Sequence, residues 1–183
     1  PITAQLAVTA WIIELVIGIG LGAVAALRPG GVFDRFATST TILLLAVPTF
    51  VLAFFAQQVF GLQLGWFPVA GAGSGGADRV WALTLPALTL AIGALAIVSR
   101  VTRQSMIEQF SSEHVEAARA TGLAERFVVR DHVLRGSWGP IITMVALVIA
   151  SMIAGTVAVE PVFGISGVGS LLVDAINTHD FPV

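Results

Sequence analysis

Glu116, Ala117, Ala118, Arg119, Thr121 and Gly122 stand together in the stretch Ser112-Glu-His-Val-Glu-Ala-Ala-Arg-Ala-Thr-Gly-Leu123. A carboxylate, a guanidinium and a run of small residues at this spacing suit recognition of a partner surface rather than bond-making. Patterns that would make or break bonds fail elsewhere. Gly71-Ala-Gly73-Ser-Gly75-Gly76 and Gly18-Ile-Gly20-Leu-Gly22-Ala23 fit dinucleotide glycine fingerprints. Neither follows a buried strand: the first lies in a loop and the second inside a long apolar run. A phosphate-binding P-loop needs a lysine, and the chain has none. There is no Gly-x-Ser-x-Gly elbow and no His-Glu-x-x-His. Without cysteine there is no thiolate nucleophile and no zinc-thiolate site, and His114, His132 and His179 are too scattered for an evident metal cage.

The elements that must position these residues follow from hydropathy. Of 183 residues, 56% are hydrophobic and 11% charged, where a soluble domain carries about 25% charged residues. With a mean hydropathy of +0.93, the expected class is an all-α, polytopic membrane bundle. A span needs about 20 apolar residues, and only a helix satisfies its own backbone in hydrocarbon. Four spans are predicted, at about 6–27, 38–60, 80–99 and 136–159. All nine basic side chains are arginine, and the successive loops hold two, one, six and none. Arginine stays inside. Arg28, Arg35 and the 100–136 loop are therefore expected in the cytoplasm, and the 61–79 and 160–183 segments outside. Trp66 and Trp81 at the outer loop and Trp138 at the inner end of span four suit interfacial depths. The net charge of −2 gives no reason to expect nucleic acid. No signal peptide is evident, and the chain is read as part of a longer protein.

Within the spans, Pro48 predicts a kink in span two. Gly18 with Gly22, Ser151 with Gly155, and Ala150 with Ala154 and Ala158 predict close helix approach. Glu14 is the one charge inside a span. It either faces a watery path or is protonated and bonded to a neighbouring helix. In the long loop, Ser112 as N-cap, acids at Glu113 and Glu116, and Gly122 as terminator predict a short helix over 113–121. Glu116 and Arg119 are spaced to pair. A second helix is predicted over 124–135, and Pro140 falls in the first turns of span four. A small-faced, charged, glycine-ended helix projecting from the bilayer has the shape of a docking knob.

Glu116-Ala117-Ala118, three residues, then Gly122 resembles the Glu-Ala-Ala…Gly loop of permease subunits from ATP-driven (ABC-type) importers. The eighteen-residue step to Pro140, with His132-Val-Leu-Arg135 between, is similar to the dipeptide/oligopeptide branch. So are Leu21-Gly22-Ala-Val-Ala-Ala-Leu-Arg28, Leu85-Pro86-Ala-Leu-Thr-Leu90, Glu160-Pro-Val-Phe163 with Gly167-Val-Gly169, and Leu172-Val-Asp-Ala-Ile176 followed by Asp180-Phe-Pro182. The family usually has a leucine before the loop-closing proline, where this chain has Gly139, and a further span at each end.

The resemblance implies a transmembrane subunit that pairs with a second, homologous permease in a bacterial plasma (inner) membrane. It implies two ATPase subunits beneath, carrying ATP and magnesium, and an extracytoplasmic substrate-binding protein. This chain would bind no cofactor or metal and catalyse nothing. Glu116, Ala117, Ala118, Arg119, Thr121 and Gly122 would couple it to the ATPases. Di- or oligopeptides are the expected cargo, with nickel or another small solute as the alternative. Thr49, Gln57, Gln58, Ser151 and Thr156 could line the pathway or equally bond between helices. Asp174 and Asp180 could touch the binding protein. An ion-coupled carrier would want several buried charges, and an intramembrane enzyme a polar constellation within the spans; Glu14 alone is too little for either.

Overall fold

The computed structural model describes residues 2–179, and every regular element among them is helical. α1 (Ile2–Leu27) is one uninterrupted apolar helix; Arg28-Pro29-Gly30 ends it, with Gly30 at φ 75°. α2 (Val32–Ala46) stops because Pro48 excludes helical geometry from the residue before it, and Val47 is extended at φ −96°, ψ 126°. α3 (Thr49–Ala56) starts again and runs on as a π-helical segment, Gln57–Gln63. The expected kink is therefore a break: the two halves meet at 102°.

α4 (Gly76–Phe110) has 35 residues and passes ten residues beyond the expected start of the long loop. α5 (Glu113–Ala120) is the short helix predicted there. The second predicted helix is not a separate element. α6 (Glu125–Phe127), a π-helical segment (Val128–Val133) and α7 (Leu134–Val162) follow without a gap, a 38-residue rod in all. α8 (Val168–Asn177) is a helix where a plain outer tail was expected. Among the described residues, three helices are long and apolar enough to cross a membrane, or four if the bent α2–α3 pair counts as one.

α4 is the central helix, packed against α1, α7, α2 and α3. Gly18 of α1 meets Leu95 and Val98, and Gly22 meets Ser99 and Thr102, so α1 and α4 run in the same direction. Gly155 lies against Leu90 and Gly136 against Gln109, so α7 runs the opposite way. The glycines of these small-residue steps let backbones approach, and dispersion across the seams holds the bundle where lipid offers no hydrophobic drive. The core joins Leu6, Ala10, Ala53, Leu90, Val98, Met152 and Phe163. The outside is apolar too: Val16 is 70% exposed, Leu43 68% and Leu147 64%. In water such a surface would aggregate; against lipid it is matched. This arrangement gathers all the arginines but Arg79 at the end where α1 and α4 finish and α7 begins.

Candidate functional site

α5 is held at the arginine-rich end by its own apolar side. Val115 is fully buried and Ala118 is 6% exposed; both pack with Ala26 of α1, Met106 of α4, Val128 and Val133. Ala118 thus faces into its own chain, whereas Glu116, Ala117, Ala120, Thr121 and Gly122 are exposed. Ser112 occupies the N-cap position in an extended conformation, and its carbonyl accepts from the Val115 and Glu116 amides. Its hydroxyl does not cap the helix; it donates to the Gln109 carbonyl at 2.6 Å. Helix α5 ends as the sequence suggests, with Gly122 at φ 80°, its amide donating to the Arg119 carbonyl at 2.9 Å. The Thr121 hydroxyl donates to the Ala118 carbonyl at 2.8 Å.

The pairing of charges differs from the expected one. Arg119 reaches across the turn to Glu125, at 2.6 Å and 3.2 Å, instead of back to Glu116. Both oxygens of Glu125 accept from the planar guanidinium, a two-pronged pair. Hydrogen bonding from Arg119 holds the Glu125 carboxyl below the usual carboxylate range. Glu116 is left among the outward-facing residues with no ion pair in the described part of the chain. The result is an exposed ledge carrying two acids without an ion pair, Glu113 and Glu116, with small side chains and a glycine exit, suited to binding a surface. Among the described residues no cluster of three His, Asp or Glu groups could hold a metal.

The predicted pathway residues do not converge. The Gln57 amide donates to the Val69 and Val162 carbonyls at 2.8 Å and 2.9 Å, tying the 64–75 loop to the end of α7. The Ser151 and Thr156 hydroxyls donate to carbonyls of their own helix, those of Val148 and Ile153. Thr156 also borders an apolar groove of about 750 Å³ between α1, α7 and α8, whereas Ser151 does not. Thr49 begins α3 and Gln58 lies exposed in the π-helical segment that follows it. Asp174 is exposed on α8, and Asp180 lies outside the described residues.

Three buried acids carry more structure than their sequence positions suggest. Asp34 of α2 is 3% exposed and receives the Arg103 guanidinium of α4 on both oxygens, one bond at 2.8 Å. The Gly30 amide at 2.7 Å and the Thr38 hydroxyl at 3.4 Å complete its shell. Glu160 is fully buried near the end of α7, and its Oε2 accepts from the Ser170 amide of α8 at 3.0 Å. Gly167 and Gly169 are needed there, because a Cβ at either would collide with the Glu160 carboxylate. The Val168 amide donates to the Thr3 hydroxyl of α1 at 2.8 Å, so α8 is pinned by both α7 and α1. Glu14 is fully buried in α1, and neither oxygen has a partner. It therefore makes no bond to a neighbouring helix among the described residues. Sequence reasoning missed Asp34, Arg103, Thr3 and the holding role of Glu160. A signal existed only for the last: an acid followed, seven and nine residues on, by glycines that leave room for it.

Related sequences bear on this arrangement. The dipeptide transport system permease protein DppB of Bacillus subtilis is 35% identical over 187 residues, covering 100% of this chain and 58% of its own length. A probable peptide ABC transporter permease protein of Sinorhizobium fredii is 35% identical, with 99% and 59% covered. The glutathione transport system permease protein GsiC of Escherichia coli K12 is 34% identical, with 99% and 58% covered. The chain thus spans less than two thirds of the length of these relatives. The sequence pattern of binding-protein-dependent transport system inner membrane components matches residues 18–183, which takes in the Glu116–Gly122 ledge, α4, α7 and α8. A helical bundle with an apolar exterior and this match from Gly18 onward establish that the chain belongs to that family of multi-pass inner-membrane transport components.

Proposed function

We propose that the chain is a transmembrane permease subunit of an ATP-driven importer of di- or oligopeptides. The observation that carries this reading is the ledge on α5. It is exposed, glycine-ended and seated through Val115 and Ala118 on the ends of α1 and α4. The arginine-rich end, by the positive-inside rule, faces the cytoplasm. There the ledge docks in a cleft of a separate ATPase subunit. Glu116 supplies the charge, Ala117 and Ala120 permit close approach, and Gly122 permits the sharp exit. Ala118 contributes by packing rather than by contact. Closure of a pair of ATPase subunits, which hold ATP and magnesium, moves the ledge and, through the shared cluster with Met106 and Ala26, rocks the spanning helices. A second permease completes the pathway, and an external binding protein delivers cargo near α8. Peptide cargo rests on the relatives named for dipeptide, peptide and glutathione transport.

The test is ATP-driven uptake of labelled dipeptide into proteoliposomes holding the complete complex. Gly122→Asp should abolish uptake while leaving insertion intact, because an L-residue at φ 80° distorts the exit of the ledge. Ala117→Cys should cross-link to an ATPase subunit. Normal uptake by the Gly122 variant, together with cross-links that never reach an ATPase, would refute the docking role.

A further inference from the structure

A second cavity lies at the arginine-rich end, between α1, α2 and α4, with a volume of about 320 Å³. Its polar wall includes Thr38, Thr41, Ser99, Arg100, Arg103 and Gln104; Ile42 supplies an apolar edge. The hairpin and its partners make no use of this cavity.

The charge balance of the wall is uneven. Arg103 is committed to Asp34, which also takes the Gly30 amide and the Thr38 hydroxyl. That pair is neutral, and it uses two of the five N–H donors of Arg103. Arg100, one turn earlier on the same helix, makes no ion pair among the described residues. Ser99 beside it is 5% exposed, yet its hydroxyl has no hydrogen-bond partner among those residues. The Thr41 hydroxyl donates to the Thr38 carbonyl. Gln104 gives one amide hydrogen to Glu108, the nearest acid along that face, which does not border the cavity. The cavity therefore presents one uncompensated cation, an unused hydroxyl on a mostly buried serine and a spare amide hydrogen, all donors. A small anion with several acceptor oxygens answers that set.

The depth narrows the choice. Arg100 follows immediately on the apolar run 80–99 of α4, so the cavity sits where hydrocarbon gives way to headgroups. Basic pockets between spanning helices at this level bind lipid head groups. We propose that this pocket is a binding site for a phosphate group, presented by the headgroup of an anionic phospholipid in the leaflet at the arginine-rich end. Arg100 and the Ser99 hydroxyl grip the phosphate oxygens. Arg103, locked by Asp34, fixes the α2 side of the pocket, and Ile42 lies along the first part of an acyl chain. The site depends on the membrane placement of the chain and not on the identity of the transported solute.

The experiment uses the full-length protein in its complete complex, reconstituted in nanodiscs of phosphatidylethanolamine and phosphatidylglycerol. Native mass spectrometry after gentle release counts retained phosphatidylglycerol. Arg100→Gln should lower retention about tenfold, the loss of one charge-assisted bond. Ser99→Ala, which keeps the fold and the charge, should lower it by a smaller factor. Arg135→Gln, at the same end but outside the pocket, should leave it unchanged. Equal retention in the Arg100 and Arg135 variants would overturn the site. Binding of labelled inorganic phosphate that is lost in Arg100→Gln, with no retained lipid, would assign the pocket to free phosphate and overturn the lipid source. Dipeptide uptake measured on the same samples separates failure of this site from failure of the importer reading.

Discussion

Replacing Gly22 by alanine should loosen the seam between α1 and α4, and the size of the effect follows from the packing. A Cβ built at Gly22 would lie 2.7 Å from Thr102 Cβ and 3.1 Å from the Arg103 amide nitrogen, and closer still to the Ser99 carbonyl. Two of these are backbone atoms, so no side chain can swing aside. Carbon atoms prefer about 3.5–4.0 Å, so the helices must part by roughly 1 Å at this level. A gap of that size forfeits about a quarter to a half of each contact's attraction along the seam. Overpacking of this kind costs about 1–3 kcal/mol. For a domain of this size that lowers the melting temperature by about 2–12 °C. Gly20, two residues earlier, has nothing within 4 Å of its Cβ position. Gly20→Ala should therefore be neutral or gain up to about 1 kcal/mol from helix propensity. Thermal unfolding of the two variants in the same detergent, read by tryptophan fluorescence, gives the comparison. Equal melting temperatures would refute the claim that Gly22 marks an obligatory close approach.

Arg103→Ala leaves the Asp34 carboxylate buried without its cation. Because Arg103 is itself partly exposed, the expected loss is about 1–3 kcal/mol rather than the larger cost of breaking a fully buried pair, and Asp34→Asn in the same chain should recover part of it in a double-mutant cycle. Glu160→Ala removes the acceptor of the Ser170 amide and one of the two pins on α8, so hydrogen exchange at Val168 through Leu171 should speed up while α4 amides keep their protection. Gly169→Ala should have the same effect by displacement, since its Cβ meets Val157 backbone atoms at 2.8 Å. The exposed Arg119–Glu125 pair should add little to stability, so a large loss of uptake in Arg119→Ala at unchanged melting temperature would mark Arg119 as a docking contact.

Helix identity was legible because long apolar runs leave the backbone no other option. Where the helices end was harder. The sequence places a loop at Arg100, since charge rises there, but α4 continues to Phe110 because its inner face still buries Thr102, Ser105 and Met106. Hydropathy sees solvent exposure averaged around a helix and misses one apolar stripe. Pro48 was read correctly as a disturbance, yet its local effect on Val47 does not say that the chain leaves at 102°. That angle is set by what α2 and α3 each pack against. On the ledge, Gly122 was readable because a helix stop needs a left-handed residue. The inward turn of Ala118 was not, because three alanines look alike until Val115 fixes which side faces Met106. The Asp34–Arg103 pair joins residues 69 positions apart, and no local pattern announces it.

The absence of a joint between the hairpin's second arm and α7 has a mechanical consequence. From Glu125 to Val162 the chain forms one strut, roughly 57 Å long at 1.5 Å per residue. The turn after the ledge sits at one tip, and the carboxylate that clamps α8 sits at the other. A sideways push at the first tip must swing the second in the opposite sense about whatever fulcrum α4 provides at Leu90 and Gly155. The π-helical stretch Val128–Val133 and Pro140, which falls inside the rod rather than in the first turns of a helix, are two places near the pushed tip where such a lever could yield, so stiffening or slackening Val128–Val133 should change how much of a push arrives at the far side.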